Sequence, residues 1–140
     1  MTITLNTASR RWIIVAGLVL LLLTHLLAGC GSSSLKVGWR ETSSLKRKQV
    51  QYVTFDGTQT KTFRAEAGQT ITLDYEVTVE KGSLALKLVA PGGESLWEKT
   101  HNEDGEDAVS VTVPDDGRYT LRIEGEQTGG SFDISWSVQE

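Results

Sequence analysis

Hydrophobic and polar residues alternate along most of the chain beyond residue 49, and this period of two is typical of half-buried β-strands. The longest run has Ile71, Leu73, Tyr75, Val77 and Val79 on one face, with threonine, aspartate and glutamate between them. The same alternation recurs at Leu84 to Leu88, Val109 to Val113, Tyr119 to Ile123 and Phe132 to Val138. No segment beyond Cys30 has an apolar stripe of helical period, so we expect strands to form the core.

Turn sequences rich in glycine separate these runs. They are Asp56-Gly57, Ala67-Gly68, Lys81-Gly82, Pro91-Gly92-Gly93, Asp104-Gly105, Pro114 to Gly117 and Gly129-Gly130. Glycine accepts the positive φ values of tight hairpins, and proline fixes a bend. About seven to nine short strands predict an all-β domain over residues 49–140, an antiparallel β-sandwich or jelly roll. The first strand changes phase between Tyr52 and Val53, which predicts a β-bulge.

The first 29 residues follow a different pattern. Arg10 and Arg11 precede an unbroken apolar run from Trp12 to Leu23, and the small residues Ala28 and Gly29 come directly before Cys30, the only cysteine. A basic start, an apolar centre and small residues before a cut site predict a cleaved secretory signal peptide at residues 1–29, helical in form. The alternative is an uncleaved membrane anchor, since a helix from Trp12 to Gly29 would extend ~27 Å.

The sequence Leu27-Ala28-Gly29-Cys30 resembles the lipobox of bacterial lipoprotein precursors. The resemblance implies cleavage between Gly29 and Cys30 and a lipid on the Cys30 sulfur. We therefore expect an extracytoplasmic protein that is anchored by this lipid to the cell membrane, or to an outer membrane if the cell has one. With no other cysteine in the chain, disulfides cannot contribute to stability.

Residues 30–48 are predicted to be a serine-containing, basic tether between the lipid and the β-domain. This stretch has five basic residues and one acid, Glu41. Anionic lipid headgroups attract such residues, although an ordinary solvated linker is an equally good interpretation. Removing Arg10 and Arg11 from the 14 basic residues leaves 12 against 18 acidic ones, a formal net charge of −6. An acidic domain argues against nucleic acid as a partner.

Several segments of the β-domain resemble the bacterial pre-peptidase C-terminal domain. They are Phe63 with Ala67-Gly68-Gln69, Gly82 to Leu86, Ala90 to Gly93, Asp116 to Ile123 and Gly130 to Ile134. The resemblance implies a jelly-roll architecture similar to that of carbohydrate-binding and collagen-binding modules, which are non-catalytic appendages of secreted enzymes.

Catalysis is not expected from this sequence. The only histidine beyond Cys30 is His101, in a polar stretch that is predicted to be a loop between strands. No nucleophile elbow, zinc-binding helix or phosphate-binding loop is present in the sequence, and no cofactor is implied. A hydrolase would need a cleft that brings His101 together with acidic residues.

Two features are candidate ligand sites. Trp97 follows Leu96, so one of the two side chains should point outward if this segment is a strand. An outward tryptophan could stack on a sugar or contact a protein, whereas an inward one would cover the end of the core. The second feature is an acidic loop whose oxygens are a weak calcium candidate: Asn102, Asp104, Glu106 and Asp107. A solvated acidic turn is the default interpretation of this loop.

The sequence therefore predicts a lipid-anchored, non-catalytic β-sandwich that binds an envelope polysaccharide or a partner protein. The alternative is an accessory lipoprotein of a membrane or secreted complex, without a soluble ligand. A cluster of outward aromatic side chains would favour binding, and a polar surface with one apolar patch would favour the accessory role.

Overall fold

The computed structural model describes residues 34–140. The predicted signal peptide, its cleavage site and Cys30 lie outside the described residues. Seven strands make up nearly all of the described chain: β1 (Leu35–Val37), β2 (Arg40–Ser43), β3 (Arg47–Ala65), β4 (Thr70–Val89), β5 (Ser95–His101), β6 (Gly105–Thr112) and β7 (Gly117–Gln139). Within residues 34–140 no helix is long and apolar enough to cross a membrane.

All strand pairs are antiparallel, and the order in the sheet is β1-β3-β7-β4-β5. Strand β2 pairs with the first half of β3, and strand β6 pairs with the first half of β4. Strands β1 and β2 therefore form one lateral edge of the sheet, and strands β5 and β6 form the other. The predicted all-β antiparallel fold is confirmed.

Three long strands, β3, β4 and β7, run through both layers of the sandwich. Phe63 in β3 stacks on Trp136 in β7 with ring centroids 6.3 Å apart, although the Trp136 amide bonds to Lys46, just before β3 begins. In a straight strand, Lys46 and Phe63 would be more than ~50 Å apart. The strands must therefore bend in the middle, so that the sheet folds over and packs against itself.

Each bend coincides with a change of pairing register. The shifts lie between Tyr52 and Gly57 in β3 and between Val79 and Ser83 in β4, opposite residues 126–130 of β7. An irregularity of this kind moves the apolar side chains to the other alternate positions, so the same face stays inside after the bend. The bulge predicted near Tyr52 is confirmed.

Of the seven predicted turns, only Pro91-Gly92-Gly93 joins two strands that pair with each other, β4 and β5. Three of the other six lie inside strands. Asp56-Gly57, Lys81-Gly82 and Gly129-Gly130 lie at the bends inside β3, β4 and β7. Glycine is needed at two of them for space as well as for φ: a Cβ on Gly130 would lie 2.0 Å from the Thr78 carbonyl oxygen, and one on Gly82 would lie 2.4 Å from that of Glu126. The glycine-rich pairs therefore indicate the positions of these bends correctly, but each bend continues one strand and does not join two strands as a hairpin.

The sheet extends N-terminally of residue 49, where the β-domain was predicted to start. Residues 35–37 and 40–43 are strands, and Trp39 between them packs on Tyr52 and Phe55 with ring centroids 5.9 and 5.3 Å away. The buried hydrophobic residues form one cluster, and Trp39 joins it as a partly buried member. The described residues thus contain a complete core of their own.

Candidate ligand-binding site

Several inward-facing positions of the β5–β6 edge carry polar or aromatic residues, whereas Val109 and Val111 of β6 are aliphatic and pack against the core. Leu88, Leu86 and Leu84 of β4 are buried, and they pair with Trp97, Lys99 and His101 of β5. Directly paired residues project to the same side of a sheet. These three side chains of β5 therefore point toward the gap between the two layers.

Strand β6 contributes to the same edge from the opposite layer. The buried Tyr75 and Val77 of β4 pair with Asp107 and Gly105 of β6. Asp107 therefore projects to the same side of the sheet as the Tyr75 ring, although its side chain stays exposed at the rim. We define the edge site as Tyr75, Trp97, Lys99, His101 and Asp107.

The structure resolves the position of Trp97. Leu88 pairs with Trp97 but Val89 pairs with Ser95, so Leu96 is an extra residue in a β-bulge. Because of this bulge, Leu96 and Trp97 are both partly buried and both pack against the core, and the prediction that one of them must point outward is wrong. The Trp97 ring lies 5.7 Å from the Tyr75 ring, tilted by 46°.

His101 is not in an exposed loop, and that prediction is wrong. It is the last residue of β5, with only 8% of its surface exposed, and its ring meets the Tyr75 ring edge-on at 5.4 Å. Gly105 leaves room for it, since a Cβ there would lie 2.7 Å from Nδ1. Burial, and then the charge of Lys99, lower the His101 pKa, while the charge of Asp107 opposes this shift.

Two buried polar atoms at the edge site have no hydrogen-bond partner among the described residues: the Tyr75 hydroxyl and His101 Nε2. Burial, and then the charge of Asp107, raise the Tyr75 pKa, so the hydroxyl keeps its proton and can donate. A buried polar group without a partner costs about 1–3 kcal/mol. Both groups therefore have hydrogen-bonding capacity that no described residue uses.

The acidic loop adjoins this site. Asp104 Oδ1 accepts a hydrogen bond of 2.8 Å from the Val79 backbone amide, and Asp107 Oδ1 accepts one of 2.8 Å from Ala108. In residues 34–140 no three histidine, cysteine or acidic side chains are grouped as a metal site. Asn102, Asp104, Glu106 and Asp107 instead line a depression of about 400 Å³, together with Tyr75, Lys99 and His101.

A second hollow of about 620 Å³ lies over the neighbouring sheet face and shares Tyr75, Glu106 and Asp107 with the first. Its other lining residues include Asp74, Glu76 and Asp133, while its arginine, Arg47, is engaged in an ion pair with Asp133. The surroundings of the edge site are therefore strongly acidic, which disfavours an anionic ligand.

Sequence reasoning singled out Trp97 and the acidic loop but did not connect them. Tyr75 was assigned to the core, which is confirmed, since it is 5% exposed. Its place beside Trp97 and His101 follows from the pairing of β4 with β5 and β6. The pairing of β4 with β5 is a hairpin around Pro91-Gly92-Gly93, but no local pattern indicates that β6 pairs with the first half of β4, because those residues are far apart in the sequence.

No family model matches this chain, and no curated protein matches it. Among solved structures it is similar to a CBM61 module in complex with β-1,4-galactotriose, with 16% identity over 74% of this chain and 89% of that one and a TM-score of 0.49. A CBM4 structure matches with 12% identity over 74% and 78% of the two chains and a TM-score of 0.48. The g-type lysozyme inhibitor PliG of Aeromonas hydrophila matches with 22% identity over 66% and 87% and a TM-score of 0.43.

These likenesses concern the β-sandwich architecture and transfer no ligand to this chain. The resemblance to the pre-peptidase C-terminal domain stays a prediction, as does the lipobox. His101 and Asp107 line one depression, as the hydrolase alternative required, but His101 Nε2 has no hydroxyl or carboxylate partner among the described residues. The expectation that the protein is not an enzyme also stays a prediction.

Proposed function

We propose that this protein is a lipid-anchored, non-catalytic envelope protein whose β5–β6 edge binds an uncharged polysaccharide. The observation that carries the proposal is the edge site itself. There Trp97 and Tyr75 lie side by side, and the Tyr75 hydroxyl and His101 Nε2 are buried without partners.

The chemistry of these groups matches that of a sugar. A pyranose has apolar C–H faces, which pack on aromatic rings, and hydroxyl groups that both donate and accept hydrogen bonds. Tyr75 can donate to a sugar hydroxyl, and the neutral imidazole of His101 can donate or accept. The acidic surroundings argue for a polysaccharide without carboxylate or phosphate groups.

Tyr75→Phe tests the proposal with little structural change. The variant keeps the aromatic ring but removes the unpartnered hydroxyl, so the free energy of unfolding should stay the same or rise by about 1 kcal/mol. Affinity electrophoresis in gels containing neutral polysaccharides should show retardation of the parent chain, and Tyr75→Phe should weaken it up to about tenfold, the worth of one hydrogen bond.

Tyr52→Phe is the matched control, because the Tyr52 hydroxyl is also buried without a partner but lies beside Trp39 at the opposite edge. Its retardation should equal that of the parent chain. Equal retardation of the Tyr75 and Tyr52 variants would remove the edge site from the binding surface.

The accessory role without a soluble ligand is the second candidate, and two observations favour it. The exposed large hydrophobic residues of the described chain are aliphatic, and three of them, Leu35, Val37 and Val53, lie together where the sheet begins. Sheet proteins also use inward-pointing charges on edge strands to prevent pairing with other chains. Lys99 and Asp107 are charged residues at inward positions of this kind. Under this alternative no neutral polysaccharide retards the parent chain, and Lys99→Val combined with Asp107→Val promotes self-association.

The lipid anchor has its own test. Only Cys30 has a thiol, so Cys30→Ala should block lipidation and processing of the precursor. Partitioning between detergent and water should then show no processed, lipid-bearing species in the detergent phase. A variant that is still cut after Gly29 and still carries lipid would contradict the lipobox prediction.

A further inference from the structure

Three of the four exposed large hydrophobic residues in the described part of the chain lie close together. Leu35, Val37 and Val53 are 56%, 45% and 62% exposed, whereas Leu45, which is 90% exposed, lies alone in the β2–β3 turn. Single exposed side chains are normal on a protein surface, but a group at one place indicates a contact. We call Leu35, Val37 and Val53 the apolar patch.

The patch lies at the bend of β3, where the described chain begins. Leu35 and Val37 pair with Asp56 and Thr54, so both face outward beside the bulge that contains Val53. Val53 packs over Gly38, where a Cβ would lie 2.6 Å from Val53 Cγ2. Ser34 packs in the same way on Gly57, where a Cβ would lie 2.5 Å from Ser34 Cβ.

We infer that the apolar patch docks on the headgroup layer of the bilayer that holds the anchor. The inference rests on the lipid anchor proposed above. Leu35 is five residues beyond Cys30, and an extended chain of this length reaches at most ~18 Å. The sheet begins within that distance of the membrane, which is much closer than a tether of residues 30–48 would have placed it.

The charges around the apolar patch suit an anionic membrane better than the charges of the rest of the domain do. Arg40 lies in β2 beside it, and Lys81 Nζ donates a hydrogen bond of 2.9 Å to Thr54. Asp56 and Glu80 are the acids at this place, so bases and acids balance there, whereas Lys36 lies on the inner side of β1 with its Nζ 4.6 Å from the Trp39 ring. Beyond residue 48 as a whole acids dominate, with 7 basic against 17 acidic residues.

A second copy of the chain is the rival occupant, and the size of the patch argues against it. A stable protein interface buries about 1,200–2,000 Å² in total, far more than three aliphatic side chains supply. A membrane contact needs less, because the covalent lipid already supplies the attachment and the patch has only to set the orientation.

In the test, the protein is coupled covalently to a lipid of a vesicle membrane. Residues 30–140 contain the complete core and a single thiol, so Cys30 can be coupled to a maleimide lipid in vesicles of phosphatidylethanolamine and phosphatidylglycerol. Hydrogen exchange of residues 35–38 and 53–54 should be slower on these vesicles than in the uncoupled protein. Exchange in the turn at residues 90–94, at the opposite end of the sandwich, should not change.

Val53→Asp should abolish the added protection, since it places a charge against the bilayer. Leu45→Asp is the matched control, with the same substitution at an exposed leucine outside the patch, and it should keep the protection. Unchanged exchange at residues 35–38 and 53–54 would overturn the inference. So would protection that disappears when each vesicle carries one protein, because that result would assign the patch to a second copy. Because the coupling does not depend on cellular lipidation, neither result bears on the anchor, which Cys30→Ala tests.

Discussion

The two lateral edges of the sandwich differ in how their inward-facing polar side chains are hydrogen-bonded. At the β1–β2 edge the inward-facing Lys48 is almost covered, with 12% of its side chain exposed, and its Nζ lies 3.1 Å from Glu41 and 3.4 Å from Gln59 Oε1. Glu41 also accepts hydrogen bonds of 3.0 Å from Trp39 Nε1 and 2.6 Å from Ser43 Oγ. At the β5–β6 edge, Tyr75 and His101 each present a buried polar atom without a partner among the described residues.

The pKa shifts reflect this difference. The Ser43 hydroxyl, followed by Lys48 and Trp39, lowers the Glu41 pKa to about 2 against the opposing effect of burial. His101 is shifted chiefly by burial, which lowers its pKa, and the charge of Asp107 opposes this shift only in part. The Glu41–Lys48 network of one edge is thus closed and contributes to stability, although the Tyr52 hydroxyl at that edge has no partner among the described residues, while Tyr75 and His101 at the other edge leave hydrogen-bonding capacity for a ligand.

Truncation of the two edge tryptophans should give the largest contrast. Trp39→Ala removes a ring that packs on Tyr52, Phe55 and Phe132, and it should lower the free energy of unfolding by about 3 kcal/mol. Trp97→Ala has fewer aromatic contacts and should cost about 1–2 kcal/mol while abolishing retardation by polysaccharide. Denaturant unfolding and affinity electrophoresis measure both effects. A loss for Trp97→Ala as large as that for Trp39→Ala, with retardation intact, would make the two edges equivalent.

The Glu41 network should appear as a dependence of stability on acid pH. Because the folded pKa is about 2 and the ordinary value is 4.5, the stabilisation is complete above pH 4.5 and is lost as the pH falls toward 2. Glu41 is about one-third exposed, so solvent screening limits the effect to about 1 kcal/mol. Glu41→Gln should flatten the melting temperature profile between pH 4.5 and 2, and an unaltered profile would contradict the network.

Much of the fold could be predicted because the core alternation and the turn residues are local signals. Val77 and Phe132 occupy the inward positions that the period of two indicates. The same rule failed at Leu96, where a bulge breaks the period, and at His101, where a polar sequence is covered by the opposite layer. The edge site depends on which strand lies beside which, and the pairing of β4 with β6 joins residues that are far apart in the sequence.

His101 should give a smaller effect on stability, at a pH closer to neutrality than that of the Glu41 network. Its pKa is lowered in the folded protein, so unfolded chains bind the proton more readily and stability falls as the pH drops below about 6.5. Melting temperatures at pH 7.5 and 5.5 should therefore differ more for the parent chain than for His101→Gln. If polysaccharide occupies Nε2, saturating ligand should reduce protonation further. A histidine that titrates normally by NMR would show that this edge is as well solvated as an exposed loop.

Calcium should produce no effect at either edge, and the acidic loop is where an effect would be expected first. Metal that binds only the folded protein raises the melting temperature, by several degrees when the site is saturated. Yet Asp104 already accepts a hydrogen bond from the Val79 amide, and that contact holds the loop against the bend of β4. Asp104→Asn should lower the melting temperature slightly through this bond, equally with and without millimolar calcium. A rise with calcium that Asp104→Asn removes would instead make Asn102, Asp104, Glu106 and Asp107 a metal site, and the β5–β6 edge would then be completed by an ion rather than left open for a sugar.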